Sequence, residues 1–140
     1  MAQKNAGKIS QTVLFQASPK EVFEALLDEK KHAKFTGSPA RISREVGGSF
    51  STYGGYATGK NLEIVQGKKI VQEWRASDWA EGVHSIASFS ISGKGGSAKL
   101  AFTQTGIPQD AVQEIGEGWK EYYWAPMKKM LSGQKRQVPD

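Results

Sequence analysis

The sequence predicts an α+β domain: a curved antiparallel sheet of about seven strands, one or two short helices after the first strand, and a long C-terminal helix across the concave face. Three observations lead there. A complete helix-start signal follows the first strand-like segment. Between residues 40 and 106, segments rich in β-branched and aromatic residues are separated only by short turn signals. From Pro108 onward, apolar residues recur every three or four positions.

Taken in order, residues 8–17 (KISQTVLFQA) read as the first strand, with Ile9, Val13 and Phe15 on one face. Ser18, Pro19 and Glu21 then form a capping box, in which hydroxyl and carboxylate each satisfy a free backbone amide. Val22, Phe23, Leu26 and Leu27 carry that helix to about residue 29. A second helical turn over Lys31 to Phe35 ends at Thr36-Gly37-Ser38-Pro39. Six strands follow at 40–46, 48–53, 56–65, 68–76, 83–92 and 97–105. The links between them are short, which favours antiparallel neighbours over parallel crossovers. The last helix uses Val112, Ile115, Trp119, Tyr122 or Tyr123, Met127, Met130 and Leu131, and is interrupted by Gly116, Gly118 and Pro126. Such a helix must be held by tertiary packing and is expected to bend. One domain is expected over 8–132, with flexible tails at 1–7 and 133–140. A curved sheet cannot meet a helix along its whole length, so a cavity is expected between them.

Composition removes several function classes. Without cysteine, thiol catalysis, iron–sulfur clusters and cysteine–zinc sites are excluded, and a reducing compartment fits. No apolar run approaches the roughly 20 residues of a membrane span. The start lacks the apolar middle of a signal peptide, so a cytoplasmic protein is expected. The net charge of +5 sits at the ends: Lys4 and Lys8 at one, Lys128, Lys129, Lys135, Arg136 and Asp140 at the other, leaving thirteen basic and thirteen acidic side chains between them. A neutral middle offers no shaped surface for a polyanion, and no nucleic acid is expected. His32, in KKHAK, is expected at an exposed helix end, and His84 pointing outward. Neither has metal-ligand spacing, and no metal or cofactor is expected. Glu63 and Glu73 alternate with inward apolar residues and should face water. No nucleophile, base and orienting group come together, so catalysis is not expected. GGYATGK at 54–60 lacks phosphate-loop spacing.

Six pieces in a fixed order carry a resemblance. They are SPKEVFEALLD, KHAKFTG, PARISREVGGSFSTYGG, TGKNLEIVQGKKIVQEWRASDWAEGVHS, GIP at 106–108 and GWKEYYWAPMKKM. Together, over roughly residues 10–131, they resemble the C-terminal domain of the activator of the 90 kDa heat-shock protein ATPase and its stand-alone homologues. The resemblance implies a helix-grip fold, shared with START-like lipid-transfer domains and birch-pollen-allergen-like proteins. In the full activator an N-terminal domain grips the middle of the chaperone, and the C-terminal domain touches its nucleotide-binding part. The resemblance covers only the second, so strong ATPase stimulation is not expected from it alone. Members of the wider superfamily hold sterols, lipids or aromatic molecules in the cavity, and a few are cyclases or hydrolases.

Alternation on strand 68–76 turns Ile70, Gln72 and Trp74 inward and Val71, Glu73 and Arg75 outward. Trp74 then serves as core or as cavity wall, and Gln72 as its hydrogen-bond partner or as a ligand-orienting group. The candidate cavity wall is Phe35, Phe50, Gln72, Trp74, Phe89, Phe102, Ile115, Trp119 and Tyr123. In the following loop, Trp79 packs on the rim, meets a partner or covers a ligand. Asp78, Trp79 and Glu81 form the candidate protein contact. Trp119 and Trp124 lie about 140° apart on an α-helix, so Trp119 should face inward and Trp124 should lie on the flank or exposed. The first functional reading is a non-catalytic domain holding a small apolar or aromatic ligand between sheet and last helix. The alternatives are a co-chaperone-like contact with a 90 kDa heat-shock-type chaperone and an enzyme of the same fold. A monomer is expected, with a weak dimer as the variant.

Overall fold

The computed structural model describes the backbone of residues 6–136 and the side chains of residues 7–131. Strand β1 (Ala6–Phe15) is followed by helices α1 (Pro19–Leu27) and α2 (Glu29–Thr36). Strands β2 (Arg41–Ile42), β3 (Ser49–Thr52), β4 (Ala57–Val65), β5 (Lys69–Ala76), β6 (Ser85–Lys94) and β7 (Ser97–Pro108) then run in succession. The last helix has three parts: α3 (Val112–Trp119), a π-helical turn (Lys120–Trp124) and α4 (Ala125–Arg136).

The strands form one antiparallel sheet in the order β1-β7-β6-β5-β4-β3-β2. Sequential hairpins build it from β2 to β7, and β1 closes the far edge against β7. The helices α1 and α2 carry the chain from one edge to the other. The α1 cap is the one the sequence specifies: the Glu21 amide donates to Ser18 Oγ at 3.1 Å, and the Ser18 amide donates to the Glu21 carboxylate at 2.8 Å. The buried face of α1, with Val22, Phe23, Leu26 and Leu27, packs toward β6 and β7.

The register places inward residues opposite one another: Phe89 against Phe102, Ile91 against Leu100, and Ile70 against Phe89. The last helix crosses this face, with Trp119 lying on Phe102 at 4.5 Å and on Phe89 at 5.7 Å between ring centroids. At the β1 edge, Gln11 Nε2 donates to the Gly116 carbonyl at 3.0 Å. Gly116 stands over Ile9, which explains its place in a helix: tertiary contact outweighs its poor propensity.

Four expectations are corrected. The strand predicted at 40–46 pairs over two residues only, because the buried Asn61 takes over the chain after Ile42. Its Nδ2 donates to the carbonyls of Ser43 at 2.7 Å and Glu45 at 3.1 Å, fixing a turn where a ladder was expected. The same residue begins the bulge between Asn61 and Glu63. The expected tails are shorter: Ala6 and Gly7 pair with Pro108 and Ile107, and α4 continues to Arg136. Lys8, Lys128 and Lys129 therefore stand on regular elements, while the rest of the predicted tails lie outside the described residues. His32 is 3% exposed, not at an open helix end, because α2 turns that face onto the last helix. Trp124, expected on the flank or exposed, is also buried, because the turn that carries it is π-helical. No helix among the described residues is long and apolar enough to cross a membrane.

Candidate functional site

Between the last helix and the β4–β5 part of the sheet lies a pocket of about 410 Å³ lined by Tyr53, Tyr56, Ala57, Trp74, Glu114, Ile115, Gly118, Trp119, Tyr122 and Tyr123. Six of these ten are aromatic. The volume falls in the range of small-molecule sites. A polar chain fixes its floor: Trp119 Nε1 donates to Gln104 Oε1 at 2.7 Å, Gln104 Nε2 to Ser85 Oγ at 2.8 Å, and Ser85 Oγ to the Trp74 carbonyl at 2.9 Å. All three side chains are buried, so each partner satisfies a group that would otherwise be costly.

The π-helical turn shapes the helical wall. The Ala125 amide bonds to the Lys120 carbonyl, five residues back. This spacing winds Trp124 onto the side of Trp119, and the indoles stack at 5.4 Å with planes 19° apart. Trp124 Nε1 donates to Gln11 Oε1 at 2.6 Å. The α-helical arithmetic that put Trp124 on the flank or in solvent fails at this turn. Pro126 lacks the amide that an α-helix would aim at the Tyr122 carbonyl. That carbonyl instead accepts the Tyr53 hydroxyl at 2.6 Å. Tyr53 holds φ at +52°, rare for a side chain of this size, and its ring contacts Tyr122 and Tyr123 at 5.9 Å each. Burial pushes the Tyr53 hydroxyl up to about 12. It pushes Tyr123 up as well, so both are neutral hydrogen-bonding phenols at neutral pH.

Behind Trp119 and Tyr123 is a smaller void of about 20 Å³, bordered by His32, Phe50, Thr52, Gln72 and Phe89 among others. It has room for about one water. Tyr123 shares a hydrogen bond with Thr52 Oγ1 at 3.3 Å. His32 Nδ1 is buried without a protein partner, and burial pulls the imidazole down to about 4. The ring sits against Phe35 at 4.8 Å and Tyr123 at 5.2 Å.

Of the nine predicted wall residues, Trp74, Ile115, Trp119 and Tyr123 line the open pocket. Phe50, Gln72 and Phe89 border only the small void. Phe102 is sealed beneath Trp119, and Phe35 packs on His32 and Tyr123, so neither lines either space. Gln72 donates to Asn61 Oδ1 at 3.1 Å; it supports the Asn61 turn, not the Trp74 indole. Asp78 and Glu81 are exposed in the loop after β5, but Trp79 is 9% exposed and packs edge-on against Trp74 at 5.5 Å. Of the three readings for Trp79, the packed rim holds, and its place in an outward contact with Asp78 and Glu81 is corrected. Arg75, read only as outward-facing, clamps this loop: its guanidinium donates to the carbonyls of Trp79 at 2.9 Å, Ala80 at 2.8 Å and Val83 at 3.1 Å. Tyr53 and Tyr56 are wall residues that the sequence reading does not name, and Tyr122 enters it only as an alternative to Tyr123 on the helix's apolar face. Pro126, two residues after Trp124, is the sequence signal for the π-turn that presents Tyr122.

The chain matches, over residues 16–132, the family model described as activator of Hsp90 ATPase homolog 1-like protein. It is 40% identical over 108 residues to the activator of 90 kDa heat shock protein ATPase homolog of Dictyostelium discoideum, covering 76% of this chain and 28% of that protein. It is 29% identical over 121 residues to the human activator homolog 1, covering 86% of this chain and 36% of that one. The chain thus spans about a third of the length of these curated relatives. A solved HSP90 activator from Plasmodium falciparum superposes with a TM-score of 0.85 at 26% identity, covering 89% of this chain and 96% of that one. The Aha1 dimer from Colwellia psychrerythraea shares the fold with a TM-score of 0.75 at 16% identity, over 89% and 96% of the two chains. The chain belongs to the activator of Hsp90 ATPase homolog 1-like family, with the helix-grip fold.

Proposed function

We propose that this domain is a non-catalytic binding module that engages a 90 kDa heat-shock-type chaperone and modulates its ATPase. The observation that carries this reading is the family match across residues 16–132, with 40% identity to an activator of that ATPase. The loop after β5 supports a place for the contact. Arg75 and the Trp74–Trp79 packing hold it rigid, while Asp78 and Glu81 remain exposed. A preorganised loop loses little freedom on docking. The test is ATP hydrolysis by the full-length chaperone with and without the domain. A modest, saturable change in rate is expected, reduced by Asp78→Lys with Glu81→Lys. Absence of both binding and rate change would sink the proposal.

The pocket of about 410 Å³ favours a second reading, in which the same domain holds a small apolar or aromatic molecule between sheet and last helix. Native mass spectrometry of the purified domain against a broad small-molecule library tests it. Retained or exchanged ligand supports it, and failure across the library counts against it.

A further inference from the structure

We infer that the pocket under the last helix selects a small organic cation, an ammonium group carrying apolar carbon. The inference rests on the reading of that pocket as a ligand site and adds the sign of the ligand's charge. Two independent features agree on it. The first is the wall. Tyr53, Tyr56, Trp74, Trp119, Tyr122 and Tyr123 present six π-systems to one space, with a single carboxylate, Glu114, among the lining residues. Aromatic faces attract cations through their quadrupole, most strongly where water is displaced.

The second feature is the rim. The pocket adjoins two grooves of similar volume that share Glu114 with it. One is bordered by Asp110, Glu117 and Glu121, the other by Asp78 and Asp110. Five of the chain's fourteen Asp and Glu side chains therefore border the pocket or the two grooves beside it, in a protein whose net charge is +5. Among the described residues no lysine, arginine or histidine lines the pocket or either groove; Arg75 reaches the border of the second groove, but its guanidinium is engaged by the carbonyls of Trp79, Ala80 and Val83. Neither ion pair among the described residues, Arg44–Glu24 or Lys69–Glu63, involves a rim carboxylate. The field reaches the pocket: besides burial, the charges of Asp78 and Glu114 raise the Tyr56 hydroxyl. The described side chains include no group of three or more acidic or histidine residues that could hold a metal ion. A negative mouth over an aromatic box instead matches a diffuse, weakly hydrated ammonium.

The geometry also supplies a clean block. Gly118 lines the pocket from a helical position, and a Cβ there meets only Tyr122 Cδ2, at 3.8 Å. Gly118 borders both the pocket and the outer groove, so a larger side chain at 118 should take up space at the pocket's edge.

The experiment is titration of the domain's tryptophan fluorescence with choline and with benzyltrimethylammonium, each against its neutral carbon counterpart, 3,3-dimethylbutan-1-ol and neopentylbenzene respectively. Benzyl alcohol serves as a soluble neutral aromatic. The expected result is saturable binding of at least one cation, roughly tenfold tighter than its neutral counterpart. Glu114→Gln, an exposed substitution that leaves the fold intact, should weaken the cation roughly fivefold without affecting the neutral probe. Gly118→Leu should abolish binding without lowering the urea-unfolding midpoint. Neutral probes binding as well as the cations would overturn the inference and leave the ligand reading standing. Saturable binding of none of these probes would overturn the inference, leaving the ligand reading to the library screen.

Discussion

His32 should make the domain lose stability on mild acidification. Its imidazole is buried against Phe35 and Tyr123, and burial holds it at about 4 against an ordinary 6.5. The folded state therefore binds fewer protons than the unfolded chain wherever the unfolded histidine protonates. Stability is full above about pH 6.5 and falls as pH drops, because protonation favours the unfolded chain. The loss is about 2 kcal/mol by about pH 5 and about 3 kcal/mol below about pH 4. A domain of this size holds roughly 5–15 kcal/mol in all, so the fall is easily measured. Asp28, whose carboxylate is held down chiefly by the Lys31 amide, adds a loss of the same sign, but in a more acidic window. Urea unfolding, followed by tryptophan fluorescence across this pH range, gives the profile. His32→Phe removes both the titration and the unpartnered nitrogen, and its profile should stay flat until the carboxylates protonate. An NMR titration of the wild-type His32 ring should give a midpoint near 4. A flat wild-type profile, or the same fall in His32→Phe, would refute the reasoning.

Two further outcomes follow from the same packing. Gln104→Ala strips the buried Trp119 indole of its acceptor and Ser85 of its donor, and leaves a cavity. It should cost about 3 kcal/mol in urea unfolding, and a change as small as that of a surface alanine would contradict the assigned chain of hydrogen bonds. Gly118→Ala should raise stability by up to about 1 kcal/mol, since the helix gains propensity and the added methyl meets only an ordinary contact. A loss of stability there would show that the pocket wall lacks the space described.

The sequence made the architecture legible because its signals were local and agreed with one another. Ser18, Pro19 and Glu21 start α1 as read, and the inward alternation of Ile70, Gln72 and Trp74 holds. What it hid depended on contacts distant in the chain. His32 carries a polar label in a basic run, but α2 turns it onto Tyr123, ninety-one residues later. The burial of Trp124 required knowing that the turn before Pro126 is π-helical, because a regular α-helix points it elsewhere. For Trp79 the loop position left rim packing, a partner contact and a ligand lid open. Its ring closes over Trp74, the rim reading, and Arg75 from the outer side of β5 reaches around to hold the loop carbonyls. Four of the nine predicted wall residues do line the pocket. Tyr53 and Tyr56, however, come from the turn before β4, where no periodicity points inward, and the helical period left Tyr122 and Tyr123 as alternatives although both line the pocket.

The most direct test of the functional account is titration of the ¹⁵N-labelled domain with the purified, full-length 90 kDa chaperone. The account predicts saturable shifts or broadening centred on Asp78, Ala80 and Glu81, with the outer face of β6 and β7 unaffected. A spectrum unchanged through roughly millimolar chaperone, or changes confined to that outer face, would contradict it.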